Sequence, residues 1–264
     1  MIKVLDLFAG AGGFELGLCD EGLVTKYAIE QDRFCCETLR ENFPELNVIE
    51  KSVTEISDKE IRKKFSDVDV IVGGPPCQGF SVAGPSQYGK IDKRNNLIFE
   101  MLRYMYIIQP KLCVIENVKG ILSGKIKKGV SVIDEVYKDL EKNGYYCKHF
   151  VLQAANFGVP QWRERVFFFI SKNKDYLPEV INGTHGKENW VSVGEAISDL
   201  PYIEAGEATE ELSKYPQKAM NKYQKLMRRK SKGITNHEAM KHTKRLIERF
   251  KLIPVGGSLV DVPT

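Results

Sequence analysis

Apolar and polar positions alternate between two periods along the first two thirds of the chain. Short runs rich in β-branched and aromatic residues recur at IKVLDLF, VTKYAIE, LNVIE, DVIVG, KLCVIEN, CKHFVLQ and RVFFFIS. Between them GFELGLCDEG, RFCCETLRENF, NLIFEMLRYMYIIQ and GVSVIDEVYKDLEKNG space their apolar residues as helices do. Strands alternating with helices predict an α/β fold, a doubly wound and mostly parallel sheet. CKHFVLQ and RVFFFIS have no helix between them, so an antiparallel arrangement is expected for the last strand. Beyond about residue 172 the alternation stops. Residues 1–172 therefore read as one α/β domain, and residues 173–264 as an irregular basic extension of loops and short helices.

Composition changes the picture little, and charge changes it more. With 42% hydrophobic residues in a chain of 264, a sizeable core can be buried. The net charge of +4 conceals an asymmetry: residues 211–264 carry 13 Lys and Arg against 4 Asp and Glu, which leaves 26 against 31 for residues 1–210. A basic block of this kind suits a polyanion such as nucleic acid, and equally suits a solvated helix face. The six cysteines form no CxxC pair and no zinc spacing with histidine, and MIKVLDLF opens a strand without a signal-peptide core. A reduced, cytoplasmic compartment and no metal are expected. No apolar run reaches the length of a membrane span.

Two stretches carry candidate chemistry. In VLDLFAGAGGFELGL a strand, a glycine-rich turn and a helix follow one another, which aims free backbone N–H groups at a polar ligand. The dinucleotide fingerprint fails at its last position, Glu15, which argues against a pyrophosphate at this turn. Glu30 ends the second strand twenty residues past Gly10, where a carboxylate accepts from ribose hydroxyls. S-adenosylmethionine, an adenosine without phosphates, fits both features better than NAD. In VIVGGPPCQGFS, Cys77 follows two prolines on a stiff turn. It is either a small core hydrophobe or an accessible nucleophile. Glu116 ends KLCVIEN, and Gln161, Arg163 and Arg165 alternate into the last strand, which predicts one shared face.

Taken in order, DLFAGAGGFELGL, PPCQGFS, ENV and QWRER resemble the cytosine-5 DNA methyltransferase family over residues 1 to about 172. The resemblance implies a Rossmann-like domain that takes a methyl group from S-adenosylmethionine, releases S-adenosylhomocysteine, and acts on a cytosine rotated out of double-stranded DNA in a restriction-modification system. It implies that Cys77 is the nucleophile, Glu116 the acid at ring nitrogen 3, Arg165 the holder of the base's carbonyl oxygen, and Arg163 a positioning group. It carries Phe8, Gln31 and Ser52 onto the adenine, Leu97 onto an apolar contact with the cofactor, Val53 and Pro75 onto the cofactor site, Gly10, Gly12 and Gly13 onto its methionine end, and Glu30 onto the ribose. Gln31 and Ser52 depart from the family pattern, where a bulky apolar residue and an aspartate are usual. A neutral acceptor at Ser52 implies weaker cofactor binding. Residues 81–96 resemble the loop that closes over the flipped base, with Lys90, Lys93 and Arg94 suited to phosphates. The family's recognition region, its arginine-bearing helix and its GNAVP-like segment are not among these residues, so a subunit of a split enzyme, a frameshifted product and a shortened chain are the alternatives, and a split implies a second chain that supplies them. Transfer RNA as substrate, or a nucleic-acid-binding remnant without activity, are the alternatives. A nucleoid-associated cytoplasmic location follows from a DNA substrate.

Overall fold

A computed structural model describes residues 2–76, 97–124 and 131–262. The chain divides into two compact units. One comprises Met1–Phe157 and Trp162–Thr184, and the other Gly158–Gln161 and His185–Thr264.

The first unit is built on a seven-stranded sheet: β1 (Lys3–Leu7), β2 (Val24–Glu30), β3 (Asn47–Glu50), β4 (Val70–Gly73), β5 (Leu112–Val118), β6 (Tyr146–Gln153) and β7 (Glu164–Ser171). Their order across the sheet is β3-β2-β1-β4-β5-β7-β6. The pairs among β1 to β5 are parallel, while β7 runs antiparallel to both β5 and β6. The expected doubly wound α/β sheet is present. Its reversed strand does not sit at the edge but is inserted between β5 and β6, so that RVFFFIS is covered on both sides. Phe168 and Ile170 are accordingly almost fully buried.

Helices α1 (Gly13–Asp20), α2 (Arg33–Asn42), α4 (Leu97–Ile108) and α5 (Val132–Lys142) fall inside the sequence windows that predict them. Asp32 caps α2 through the N–H of Cys35, and Ser131 caps α5 through that of Asp134. A further helix, α3 (Asp58–Lys64), was not expected. It buries one apolar residue, Ile61, too few to make a stripe, and starts on a capping box between Ser57 and Glu60. The main core joins Leu5, Leu7, Ile29, Ile71 and Ile115 of the sheet to Ile61, Phe65, Met101, Leu102, Tyr104 and Met105. Each such side chain contributes about 1.5–3 kcal/mol by leaving water.

The second unit contains α6 (Val193–Ile197), α7 (Lys222–Met227) and α8 (Lys244–Lys251). Polar contacts tie it together. Buried Gln224 donates to the Glu195 carbonyl at 2.8 Å and accepts from the Met220 N–H at 2.7 Å. Arg228 pairs with Asp199 and lies 3.6 Å from the centre of the Tyr215 ring. No helix among the described residues is long and apolar enough to cross a membrane.

The junction of β1, β4 and α4 leaves no room for a side chain at position 73. A Cβ there would strike the Leu7 carbonyl and lie 2.8 Å from the Met101 sulfur. Gly73→Ala is expected to lower the unfolding free energy by about 1–3 kcal/mol, read from urea denaturation. An unchanged midpoint would contradict this packing.

Candidate active site

The parallel register brings the C-terminal ends of the strands level. Leu7 lies beside Ile29 and Gly73, Gly73 beside Ile115, and Glu30 beside Glu50. The segments that follow these ends therefore converge on one edge of the sheet, where open α/β sheets bind their ligands. Phe8 to Gly13, Glu30 and Gln31, Ser52 and Val53, Pro75 and Glu116 all lie there.

The loop after β1 turns sharply. Phe8 and Gly10 have positive φ values of 63° and 55°, and Gly12 one of 96°. A non-glycine residue in this region costs of order 1–3 kcal/mol and persists only where its surroundings enforce it. Here the N–H groups of Phe8 and Ala9 both donate to the Ile29 carbonyl, at 3.0 and 3.3 Å. Gly10 donates to Glu30 Oε2 at 2.9 Å. Glu30 Oε1 accepts from the N–H groups of Gln31 and Asp32, each at 2.8 Å. A Cβ at Gly12 would lie 2.8 Å from the Phe43 ring, whereas one at Gly10 or Gly13 would meet nothing within 4 Å. The loop thus rests on α2 through Gly12 and presents Gly10 and Gly13 to open space.

Two carboxyl groups unused in the sequence reading belong to the elements that flank this loop. Asp6 of β1 is fully buried and Glu15 of α1 is 2% exposed. No other residue donates to any of their four oxygens, which leaves the two carboxyls only each other. Burial raises the Asp6 pKa well above the usual carboxylate range, and the neighbouring charge of Glu15 and a carboxyl–carboxyl hydrogen bond raise it further. Burial also raises Glu15. The signal in the sequence was an acid inside an apolar strand, VLDLF.

Just after β3, Ser52 accepts from the Thr54 N–H at 3.4 Å and lies 3.0 Å from the Thr54 hydroxyl. Its oxygen is therefore already engaged as the cap of its own turn. Val53 is buried, Gln31 is exposed, and Leu97 is half-buried against the main core.

At the other end of the edge, Arg165 Nε meets Glu116 Oε1 at 2.8 Å. The pairing of Glu116 with Phe167 and of Val118 with Arg165 puts the two on one face as diagonal neighbours. Arg165 Nη1 donates to the Glu164 carbonyl at 2.8 Å. The strand begins only at Glu164, so the expected alternation does not extend back to Arg163 or Gln161. The Arg163 backbone is held by Gln153 at 2.6 Å, and its side chain is exposed. Asn117, between Glu116 and Val118, is 4% exposed and donates to the carbonyl of buried Pro75 at 3.2 Å. It ties β5 to the turn that leads toward position 77. Cys77 itself lies outside the described residues, as do residues 81–96 with Lys90, Lys93 and Arg94.

This edge, with a glycine loop after β1 and an acid after β2, is the ligand-binding edge of a Rossmann-like sheet. The chain matches the model of the C-5 cytosine-specific DNA methylases over residues 2–254, and it belongs to that family. It is 41% identical to the Type II methyltransferase M.DdeI of Desulfomicrobium norvegicum, an alignment that covers 99% of this chain and 63% of that protein. It is 38% identical to M.AquIA of a Picosynechococcus strain, over 75% of this chain and 89% of the relative. Among solved structures, an Escherichia coli prophage-encoded protein described as a DNA modification methyltransferase superposes with a TM-score of 0.73 at 26% identity, covering 96% of this chain and 76% of that one. The chain thus spans less than two thirds of the length of M.DdeI.

The Asp6–Glu15 couple makes stability depend on pH. The folded chain holds its proton to higher pH than the unfolded chain does. The contribution of this couple is therefore fully present in acid and declines as pH rises from the ordinary carboxylate range through the raised folded pKa. Asp6→Asn needs no such proton, so its melting temperature relative to the parent is expected to rise between pH 5 and pH 8. Parallel pH profiles would contradict the shared proton.

Proposed function

We propose that this chain is the catalytic and cofactor-binding part of an enzyme that methylates carbon 5 of cytosine in duplex DNA, as one half of a restriction-modification pair. The observation that carries the reading is the Glu116–Arg165 pair, held at the same sheet edge as the Asn117–Pro75 anchor, in a chain of the C-5 cytosine-specific methylase family.

The residues present suit S-adenosylmethionine. Gly10 and Gly13 border open space, where a cofactor's methionine end can approach the backbone. The buried carboxyls of Asp6 and Glu15, to which no other residue donates, suit a ligand that carries positive charge. Half-buried Phe8 and Leu97 offer apolar surface to the cofactor, with buried Val53 and Pro75 behind the site. Glu30 has three of its roughly four acceptor positions filled by backbone and one left for a ribose hydroxyl. When bound, the cofactor supplies an electrophilic methyl group and leaves as S-adenosylhomocysteine.

The chain's own groups make the pyrimidine nucleophilic. The Cys77 thiolate adds to carbon 6, and the displaced ring electrons reach nitrogen 3, where the Glu116 carboxyl delivers a proton. Arg165 holds the carbonyl oxygen of the base and lowers the cost of the charge that develops there. Its Nη2, without a partner among the described residues, is the donor left for that bond. Arg163, exposed beside it, positions the sugar-phosphate or Cys77. Loss of the carbon-5 proton to water then expels the thiolate, and nitrogen 3 returns its proton to Glu116, which restores the aromatic ring. The basic excess of residues 211–264 serves phosphate contacts. In this reading a second chain contributes the recognition surface and the closing part of the cofactor site. Such an enzyme works in the cytoplasm on the nucleoid.

A duplex carrying 5-fluorocytosine tests this directly, because fluorine blocks loss of the carbon-5 substituent. With cofactor and the completing polypeptide present, the parent chain is expected to form a covalent complex that maps to Cys77, and Cys77→Ser to form none. Methyl transfer by Cys77→Ser would overturn the mechanism, and an adduct on transfer RNA but not on DNA would overturn the substrate. The cofactor reading has its own check: Ser52→Asp keeps the turn cap and adds a charged acceptor, and is expected to tighten S-adenosylhomocysteine binding by about tenfold in calorimetry. Unchanged or looser binding would contradict a role for position 52 at the adenine.

A further inference from the structure

We infer that Arg103 is a positioning residue for the cofactor, acting through the backbone of the turn at Ser52–Ile56. This inference rests on the cofactor reading above. Arg103 lies on α4, six residues after Leu97, and is separated from the turn by about fifty positions in sequence. Its guanidinium is fixed on every side. Nε meets Glu100 at 2.8 Å, Nη1 meets Asp58 at 2.6 Å, and Nη2 donates to the carbonyls of Val53 at 3.0 Å and Ile56 at 3.1 Å. The next residue, fully buried Tyr104, donates its hydroxyl to the same Val53 carbonyl at 2.9 Å. Two consecutive side chains of one helix thus converge on one carbonyl.

Apart from the burial of Val53 and Ile56 in the main core, the turn has few bonds of its own. Within itself it has the long Ser52–Thr54 cap contact and one backbone bond, from Glu55 N–H to the Ser52 carbonyl. Its tie to the rest of the sheet comes through Lys51, whose N–H donates to the Glu30 carbonyl at 3.0 Å. A cation needed only to balance Glu100 and Asp58 has no reason to send its remaining nitrogen to two backbone carbonyls. The planar fork of an arginine reaches both acids and both carbonyls at once, and a lysine ammonium cannot. On the cofactor reading Leu97 contacts the cofactor, so α4 carries one such contact at its start and fixes the turn that bears Ser52 and Val53 through Arg103 and Tyr104. The adenine subsite then moves as one body with α4.

Three variants of the 264-residue chain separate this role from a purely structural ion pair: Arg103→Met, Arg103→Lys and Asp58→Asn. Affinity for S-adenosylhomocysteine is read by calorimetry, and amide hydrogen exchange over residues 51–58 is read without ligand. Arg103→Met and Arg103→Lys are expected to lose at least tenfold in affinity and to exchange faster in the turn, with the amides of β1, β4 and β5 unchanged. Asp58→Asn, which keeps both carbonyl bonds, is expected to stay within about twofold of the parent. Unchanged affinity and exchange in the Arg103 variants would overturn the inference, as would an equal loss in Asp58→Asn, which would mark the ion pair as the whole effect. Should Arg103→Met not fold, Arg103→Lys carries the comparison. A parent chain that binds no S-adenosylhomocysteine would count against the cofactor reading, and the exchange comparison would still decide whether Arg103 holds the turn.

Discussion

One carboxylate organises the functional edge. Glu30 closes β2 and takes the N–H groups of Gly10, Gln31 and Asp32 on its two oxygens. These three donors belong to the glycine loop, to the end of β2 and to the residue that caps α2. Without it the loop has no side-chain tether, and the positive φ values at Phe8 and Gly10 have less to enforce them. A carboxylate suits this task because it offers several acceptor positions and its bonds to N–H groups are charge-assisted. The same saturation limits its recognition of a ligand, since about one position remains. Glu30 is first a structural clasp and only then a ligand group.

Around that clasp, rigid and strained parts divide the work. The sheet beneath is apolar and register-locked, and it delivers five strand ends to one level. Above it lie features that cost stability: left-handed backbone at Phe8, and buried carboxyls at Asp6 and Glu15. Such costs are retained where a site must be shaped before its ligand arrives. Helix α4 performs a related service from the other side by holding the Ser52–Ile56 turn through Arg103 and Tyr104.

The sheet was legible because strand and helix periods alternate cleanly through residue 171, and the loops of the candidate site because glycine, proline and single acids interrupt apolar runs at strand ends. What escaped the sequence has physical reasons. Helix α3 buries one apolar residue and is announced only by its capping box. The insertion of β7 between β5 and β6 depends on long-range pairing that no local pattern encodes. The alternation through Gln161 and Arg163 assumed a strand that begins only at Glu164. Asp6 was read as part of a motif, and its meeting with Glu15 needs the helix to fold back on the strand. Arg103 and Val53 are fifty residues apart, and nothing in either segment names the other. Cys77, the residue on which the chemistry turns, lies outside the described residues, and its role rests on the family and on the anchor at Pro75.

Hydrogen exchange at three backbone amides measures the clasp itself. The account predicts that in the parent chain the N–H groups of Gly10, Gln31 and Asp32 exchange slowly in nuclear magnetic resonance spectra. In Glu30→Ala the protection of all three is lost together, while the amides of β1 and β4 keep theirs. Fast exchange at these amides in the parent, or protection that survives Glu30→Ala, would contradict it.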